Sequence, residues 1–332
     1  MMWRCESAKN KAARSSHKEV ACAGTCVFLS KSDWIKQRGK SVDKPIEKNS
    51  IDIKCIALDL DRTTLRSDGT LSERTRRALE KVIAAGIEVI IASGRPLSSL
   101  PSAVTSIPGI RYAVTSNGAV VCDLSTGKRL YARLMPGDSV AAVLDYCKGM
   151  NVTFECIVNG NAYADITYLR NPVCFGVPQS AVPYVQSSRT AVPDIKNFIL
   201  EQKYNLDSMD VIVPSADVRD MLLAELGRKF SELYVTSSVY TLVEMSDKNC
   251  GKHNGLQFLL DALGIDWGNL AAFGDADNDY EMLQMAGLGV AVENASKKCR
   301  SAADVITLSN DQDGVAVILE KKIFICDTAR GL

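Results

Sequence analysis

Ile53-Lys54-Cys55-Ile56-Ala57-Leu58-Asp59-Leu60-Asp61-Arg62-Thr63-Thr64 is a short apolar run that ends on two carboxylates. A compact apolar run bounded by charge fits a strand buried on both faces, as in a parallel sheet. Downstream, Asp68-Gly69 marks a turn, and Ser72 with Thr75 three residues on opens a helical pattern that runs through Ala85. Gly86 stops that helix and Ile87–Ala92 is a second buried strand. Pro96 leads into a weaker helical stretch to about Ser106, and Tyr112–Thr115 and Ala119–Cys122 read as short strands around Asn117-Gly118. Strand, helix and strand in alternation predict an α/β fold, a Rossmann-like parallel sheet with helices on both faces.

From 136 to 237 the rhythm changes. Ser139–Lys148 reads as a helix, Val152–Val158 and Ala162–Ala164 as strands around Asn159-Gly160-Asn161, and Pro172, Pro178, Pro183 and Pro193 punctuate the next stretch. Asp194–Lys203, Met209–Val213 and Ala216–Lys229 then give helix, strand, helix, an α+β unit with its own small sheet. Beyond 238 the first pattern resumes. Gly255–Leu263 and Asn278–Met285 are helical, and Asn269–Phe273, Leu288–Val292 and Ala303–Thr307 are strands. The chain therefore reads as one sheet domain, 51–135 and 238–322, interrupted by an insert at 136–237.

The first 50 residues differ from both. Their 11 basic and 5 acidic residues give a net +6, and their periodicity is poor, so they read as a disordered extension. Val20–Ser30 is apolar behind a basic stretch, but it lacks a small-x-small cleavage site, and an unfolded extension is preferred over a secretory signal.

Composition narrows the chemistry. Lys+Arg and Asp+Glu both number 39 in 332 residues, and zero net charge argues against a nucleic-acid binder. No apolar window is long enough to span a membrane. The 11 cysteines are scattered, odd in number and without Cys-x-x-Cys, which fits reduced thiols in a cytoplasmic protein. With only His17 and His253 present, a multi-histidine zinc site or a Ser-His-Asp triad is nearly excluded. Carboxylates, hydroxyls and lysines must carry the reaction.

They gather at strand ends. Open parallel sheets bind ligands at the carboxyl ends of their strands, where Asp59 and Asp61 fall. Gly274-Asp275-Ala276-Asp277-Asn278-Asp279 follows another apolar strand. A calcium loop does not explain it: Tyr280 stands where such a loop needs Gly, and Ala286 where it needs a bidentate Glu. Two acidic clusters at strand ends predict one shared cation site, and all-oxygen ligands favour Mg²⁺. Ser93-Gly94-Arg95 after the second strand offers a hydroxyl and backbone amides. Gly251-Lys252 places an ammonium at a helix start, where dipole and amides attract anions. No Walker loop surrounds that lysine and no Gly-x-Gly-x-x-Gly follows the first strand, so nucleotide-loop readings fail.

In this order, Asp59–Leu65, Ser93-Gly94-Arg95, Ser116-Asn117-Gly118, Lys252, Gly274–Met282 and Asn310–Ala316 resemble the haloacid dehalogenase superfamily, and within it the Cof-type phosphatases with a type IIB cap. The resemblance spans about Ile53 to Leu319 and implies that the insert is a cap over a Rossmann-like core. It implies a Mg²⁺-dependent phosphatase acting on a small phosphorylated metabolite, with no nucleic-acid or membrane partner. It also implies that Asp59 is the nucleophile and Asp61 the acid/base; that Asp59, the Asp61 backbone carbonyl and Asp275 hold the metal with Asp279 in support; and that Ser93, Gly94, Lys252 and Asn278 bind phosphate, with Asn117 orienting. Arg62 departs from the usual Gly, and Thr64 from the common Leu. A phosphotransferase or phosphomutase on the same core, or a binding protein that kept the fold, are the alternatives. In the cap, Asn159, Asn161, Tyr163 and Tyr168 are candidates for the leaving group, each more simply read as a loop or strand-face residue. Substrate identity and oligomeric state are not legible.

Overall fold

The structure is a computed structural model that describes residues 52–323. What the sequence suggests for residues 1–50 lies outside the described residues. Two sheets organise the rest. The first opens with β1 (Cys55–Leu58), β2 (Glu88–Ala92), β3 (Tyr112–Thr115), β4 (Val120–Asp123) and β5 (Lys128–Ala132). The second holds β6 (Thr153–Val158), β7 (Asn161–Asp165), β8 (Arg189–Val192), β9 (Leu206–Ile212), β10 (Leu233–Thr236) and β11 (Leu242–Asp247). The chain then returns to the first sheet with β12 (Leu270–Gly274), β13 (Leu288–Ala291) and β14 (Val305–Ile306).

Strand order in the first sheet is β14-β13-β12-β1-β2-β3-β4-β5, parallel from β14 to β3 and antiparallel across the last two pairs. β1 lies at the centre, paired with β2 and β12, so the two acidic strand ends are neighbours. Ile56 and Leu58 face one apolar layer with Val89, Ile91 and Phe273, closed by Ala78, Leu79 and Val82 of the helix Glu73–Ala84. Cys55 and Ala57 face the opposite layer with Ile90 and Ala272, closed by Leu256 and Leu259 of the helix Lys252–Leu263. Burial on both faces is why β1 reads as an unbroken apolar run. The first helix starts where the sequence placed it: the Ser72 hydroxyl accepts from the Thr75 backbone N–H at 3.0 Å.

The second sheet has the order β10-β11-β9-β6-β7-β8. One face carries Phe154, Cys156, Met209, Val211, Val243 and Met245 and packs on the helices Gly137–Tyr146, Ile195–Gln202 and Ala216–Lys229. Expecting the return to the first sheet at 238 places it too early. β11 pairs antiparallel with both β9 and β10, so the chain stays in the second sheet through Asp247. The reason is the alternation of Val243 and Met245 with Glu244 and Ser246, which gives one strand an apolar face and a polar one. Among the described residues no helix is long and apolar enough to cross a membrane.

Candidate active site

Asp59 is the residue at which β1 stops being a strand. Its backbone N–H still donates to the Phe273 carbonyl at 3.1 Å, and the chain then enters a wide turn, Leu60–Thr64, closed by Leu65 N–H on the Leu60 carbonyl at 2.8 Å. The Thr64 hydroxyl donates to the Asp59 carbonyl at 2.6 Å and pins that turn. Arg62 sits inside it at φ 59°, in the left-handed region that glycine adopts most easily. This is the physical content of the departure from the family motif: the turn asks for Gly and receives a residue with a Cβ.

Asp275 stands at the end of β12, directly beside. Its Oδ1 accepts from the Thr63 hydroxyl at 3.0 Å, which ties the two strand-end loops together. Gly274 before it has no room for a side chain, because a Cβ there would lie 2.5 Å from the Asp279 Cβ. Asp279 turns back on this loop, with Oδ2 accepting from the backbone N–H groups of Asp275 and Ala276 at 2.9 and 3.0 Å. Its Oδ1 accepts from Lys252 Nζ at 2.6 Å, and the same ammonium donates to Asp59 Oδ1 at 2.6 Å. Lys252 is only 1 % exposed. The carbonyl of Asn117, at φ 51°, accepts from the Gly251 N–H at 2.8 Å, and a Cβ on Gly118 would lie 2.0 Å from the Gly251 carbonyl. That close approach delivers the lysine into the site.

Carboxylate oxygens of Asp59, Asp275 and Asp279 all lie within 4.8 Å of one another. Burial pushes the Asp59 carboxyl up to about 7; Lys252 opposes the rise, and Asp279 and Asp61 add to it. Burial, then Asp59 and Asp279, push Asp275 well above the usual carboxylate range. Burial works against the Lys252 ammonium, yet Asp279 and Asp59 outweigh it and hold the group above its ordinary pKa. Three buried carboxylates against one ammonium leave a deficit of positive charge. An all-oxygen donor set with that deficit fits a hard divalent cation. Asp279 already spends both oxygens on Lys252 and two amides, whereas Asp59 and Asp275 each keep one oxygen outside these hydrogen bonds.

Asp61 does not join this cluster through its side chain. It is half exposed, 51 %, and Arg95 grips it with Nε on Oδ2 at 2.7 Å and Nη2 on Oδ1 at 2.5 Å. Gly94 and Asn278 line the cavity above the strand ends, whereas Ser93 and Lys252 are not among its lining residues. Ser93 is 1 % exposed and its hydroxyl accepts from the Arg95 N–H at 3.1 Å. Asn278 donates from Nδ2 to Asn117 Oδ1 at 2.9 Å, leaving its own Oδ1 without a partner. Asn117 Nδ2 in turn donates to Glu244 Oε1 at 3.1 Å, so this amide pair joins the first sheet to β11.

That cavity measures about 460 Å³ and lies between the strand ends and the second sheet. Of the four insert residues singled out in the sequence, only Tyr168 lines it. Asn159 Oδ1 accepts from Arg129, the Asn161 side chain bonds back to the Asn159 carbonyl, and Tyr163 stacks on Phe198 at 4.7 Å. Glu155, Tyr184, Arg189, Asp210 and Glu244 do line it, and sequence reasoning passed over all five. For Glu155, Asp210 and Glu244 the available signal was an acidic residue between apolar neighbours in a strand; Tyr184, on the helix Val182–Ser188, and Arg189, on the edge strand β8, carry no such signal.

Comparison with known proteins agrees with this geometry. The profile of the haloacid dehalogenase-like hydrolases matches residues 56–319. A 5-amino-6-(5-phospho-D-ribitylamino)uracil phosphatase of Bacillus subtilis, YwtE, is 28% identical, over 81% of this chain and 98% of its own length. A chloroplastic endoribonuclease of Arabidopsis thaliana, YBEY, is 27% identical over 81% of this chain, but the match spans only 46% of that protein. Among solved structures, a haloacid dehalogenase-like hydrolase from B. subtilis superposes with a TM-score of 0.71 at 24% identity, covering 81% of this chain and 99% of its own. TM0651 from Thermotoga maritima gives a TM-score of 0.64 at 27% identity, covering 81% and 97%. With its motifs in order and the family profile matched across most of its length, the chain belongs to the haloacid dehalogenase-like hydrolases, in their Cof-type group.

Proposed function

We propose that the chain is a Mg²⁺-dependent phosphatase that hydrolyses a small phosphomonoester, a sugar, nucleotide or cofactor phosphate, through an aspartyl-phosphate on Asp59. The observation that carries this reading is the convergence of the Asp59, Asp275 and Asp279 carboxylates within 4.8 Å at two adjacent strand ends, with Asp61 two residues from the first of them. Asp59, the Asp61 carbonyl and Asp275 would hold the metal, with Asp279 fixing the Asp275 loop from behind. When bound, Mg²⁺ neutralises charge between the carboxylates and the phosphoryl oxygens.

In the first half of the reaction the Asp59 carboxylate attacks phosphorus, the bond to the leaving oxygen breaks, and Asp61 gives that oxygen its proton. In the second half Asp61 takes a proton from water, the water oxygen bonds to phosphorus, and the Asp59–phosphorus bond breaks to release phosphate. Arg95 fixes the orientation of the Asp61 carboxyl by its two-pronged grip. Gly94 and Asn278 line the cavity and would take the phosphoryl oxygens, while Ser93 and Lys252, buried off its wall, would reach them only through a shift of the site on binding.

Hydrolysis of p-nitrophenyl phosphate tests the reading. Asp59→Asn is expected to abolish it while the variant stays folded, and EDTA to suppress it reversibly in the unaltered protein. Full activity in Asp59→Asn would refute the nucleophile assignment.

A further inference from the structure

The cavity face of the second sheet carries a row of acid. Glu155 lies opposite Asp210 in the register of β6 and β9, and Glu244 lies opposite Asp210 in the register of β11 and β9. Their chain neighbours Phe154, Met209, Val211, Val243 and Met245 pack on the helices behind, so the three carboxylates point the other way, into the cavity. They are 3 %, 6 % and 6 % exposed.

Buried carboxylates need partners. Glu155 has one in Arg189, whose Nε and Nη2 reach its two oxygens at 3.1 and 3.0 Å. Glu244 has the Asn117 amide. Asp210 has neither: among the described residues no cation lies in salt-bridge reach of it, and its side chain hydrogen-bonds to Glu155, a contact between two carboxyls that needs one proton between them. The nearby guanidinium of Arg189 is committed to Glu155 and to the face of Tyr184, and Arg95 covers the other contact on that ring, at 4.1 Å. The proton shared by Asp210 and Glu155 and the one committed base offset two of the three acids, which leaves this wall one positive charge short; Asp210 is more than nine-tenths buried and lines the cavity, and beside it Glu244 Oε2 is buried without a hydrogen-bond partner.

We infer that this wall is a subsite for a protonated amine: the alcohol released by the reaction carries an amino group that Asp210 receives, flanked by Glu155 and Glu244. This inference rests on the phosphatase reading above for its link to turnover. A second metal ion is not the better occupant, because among the described residues only Asp59, Asp275 and Asp279 converge closely enough to ligate one. A hydroxyl brings a single donor and no charge, whereas an ammonium brings three donors and the missing charge. The molecule already uses that solution once, in the Lys252 ammonium held at 2.6 Å from each of two buried carboxylates. A leaving group with a carboxylate or a second phosphate would meet like charge.

Two matched pairs test it with Mg²⁺ present: glucosamine 6-phosphate against glucose 6-phosphate, and phosphoethanolamine against 2-hydroxyethyl phosphate, with p-nitrophenyl phosphate reporting turnover itself. At least one amino ester is expected to exceed its hydroxyl partner in kcat/KM by about tenfold, the equivalent of one added charge-assisted hydrogen bond. 6-Phosphogluconate is expected to rank below glucose 6-phosphate. Asp210→Asn should bring the amine-to-hydroxyl ratio close to one, and Glu244→Gln should lower it if the first variant does not fold. Amine-to-hydroxyl ratios near one in both pairs, with p-nitrophenyl phosphate turned over, overturn the subsite and leave the phosphatase reading standing. If p-nitrophenyl phosphate is not turned over, the subsite is read without chemistry from the thermal midpoint. Glucosamine and ethanolamine should raise it where glucose and ethylene glycol do not, and equal shifts overturn the inference.

Discussion

Lys252 is the residue on which the charge balance of the site turns. Its Nζ sits between Asp59 and Asp279 with no exposure of its side chain. Removing one partner of a buried ionic pair strands the other charge, a loss of about 3–5 kcal/mol in comparable cases. Lys252→Met, close in length but without the ammonium, is expected to lower stability by an amount of that order and to abolish phosphate release. Chemical denaturation and a phosphate-release assay would show both, and an unchanged denaturation midpoint would mean that Asp59 and Asp279 find other partners. Asp59, Asp275 and Lys252 were legible in the sequence because each stands at a strand end or helix start that its neighbours announce. The partners that orient them were not. Arg95 and Asp61 are 34 positions apart, and Thr63 and Asp275 are 212 apart, so nothing local in the chain signals either contact. Arg62 is intermediate: its oddity was visible as a motif departure, but its cause, a left-handed backbone, appears only in the fold.

Among the elements, those buried on both faces were easy to read and those at edges were not. β1, β12 and β13 are apolar throughout, β2 is apolar after Glu88, and all four were placed within about two residues. β5, Lys-Arg-Leu-Tyr-Ala, sits at the sheet edge with every residue at least partly exposed, and β8, Arg-Thr-Ala-Val, ends the second sheet in the same way. Such strands have no apolar stripe to betray them. The hairpin between β4 and β5 shows what holds an edge in place. At the end of β4, Asp123 Oδ2 accepts from Arg111 Nε and Nη2 at 3.1 and 2.8 Å, and its Oδ1 accepts from the Ser125 N–H at 2.9 Å and hydroxyl at 2.5 Å. Arg111 and Ser125 hold this carboxyl down at about 2. A carboxyl whose folded value lies below its unfolded one stabilises the fold above the unfolded value, and that contribution fades as pH falls toward the folded one. Asp123→Asn is therefore expected to unfold at lower denaturant than the unaltered protein at pH 7. The gap should narrow between pH 4 and pH 2, measured by urea titration across that range. A gap that stays constant with pH would assign the loss to packing and not to charge.

At the scale of the whole molecule the two sheets face each other across the strand-end carboxylates, and a single ring bridges their charges. Tyr184 belongs to the helix Val182–Ser188 of the inserted unit, with Pro183 in its first turn, where the missing N–H costs nothing. On this ring lie Arg95, which grips Asp61, and Arg189, which grips Glu155, at 4.1 and 4.8 Å from the centroid. The insertion itself was legible as a change of rhythm, but this stack and the acidic row were not. Glu155, Asp210 and Glu244 come from three separated stretches, and their adjacency is created by antiparallel register alone. If the stack holds Arg95 in the position that orients Asp61, Tyr184 acts as a positioning residue through its ring and not its hydroxyl. Tyr184→Ala is then expected to lower kcat for p-nitrophenyl phosphate about tenfold, the cost of roughly 1.4 kcal/mol in the transition state, with KM little changed. Tyr184→Phe keeps the aromatic face and should restore most of that loss. Equal kcat in the alanine variant and the unaltered protein would show that Arg95 needs no help from the second sheet, and failure of phenylalanine to rescue would move the role to the hydroxyl.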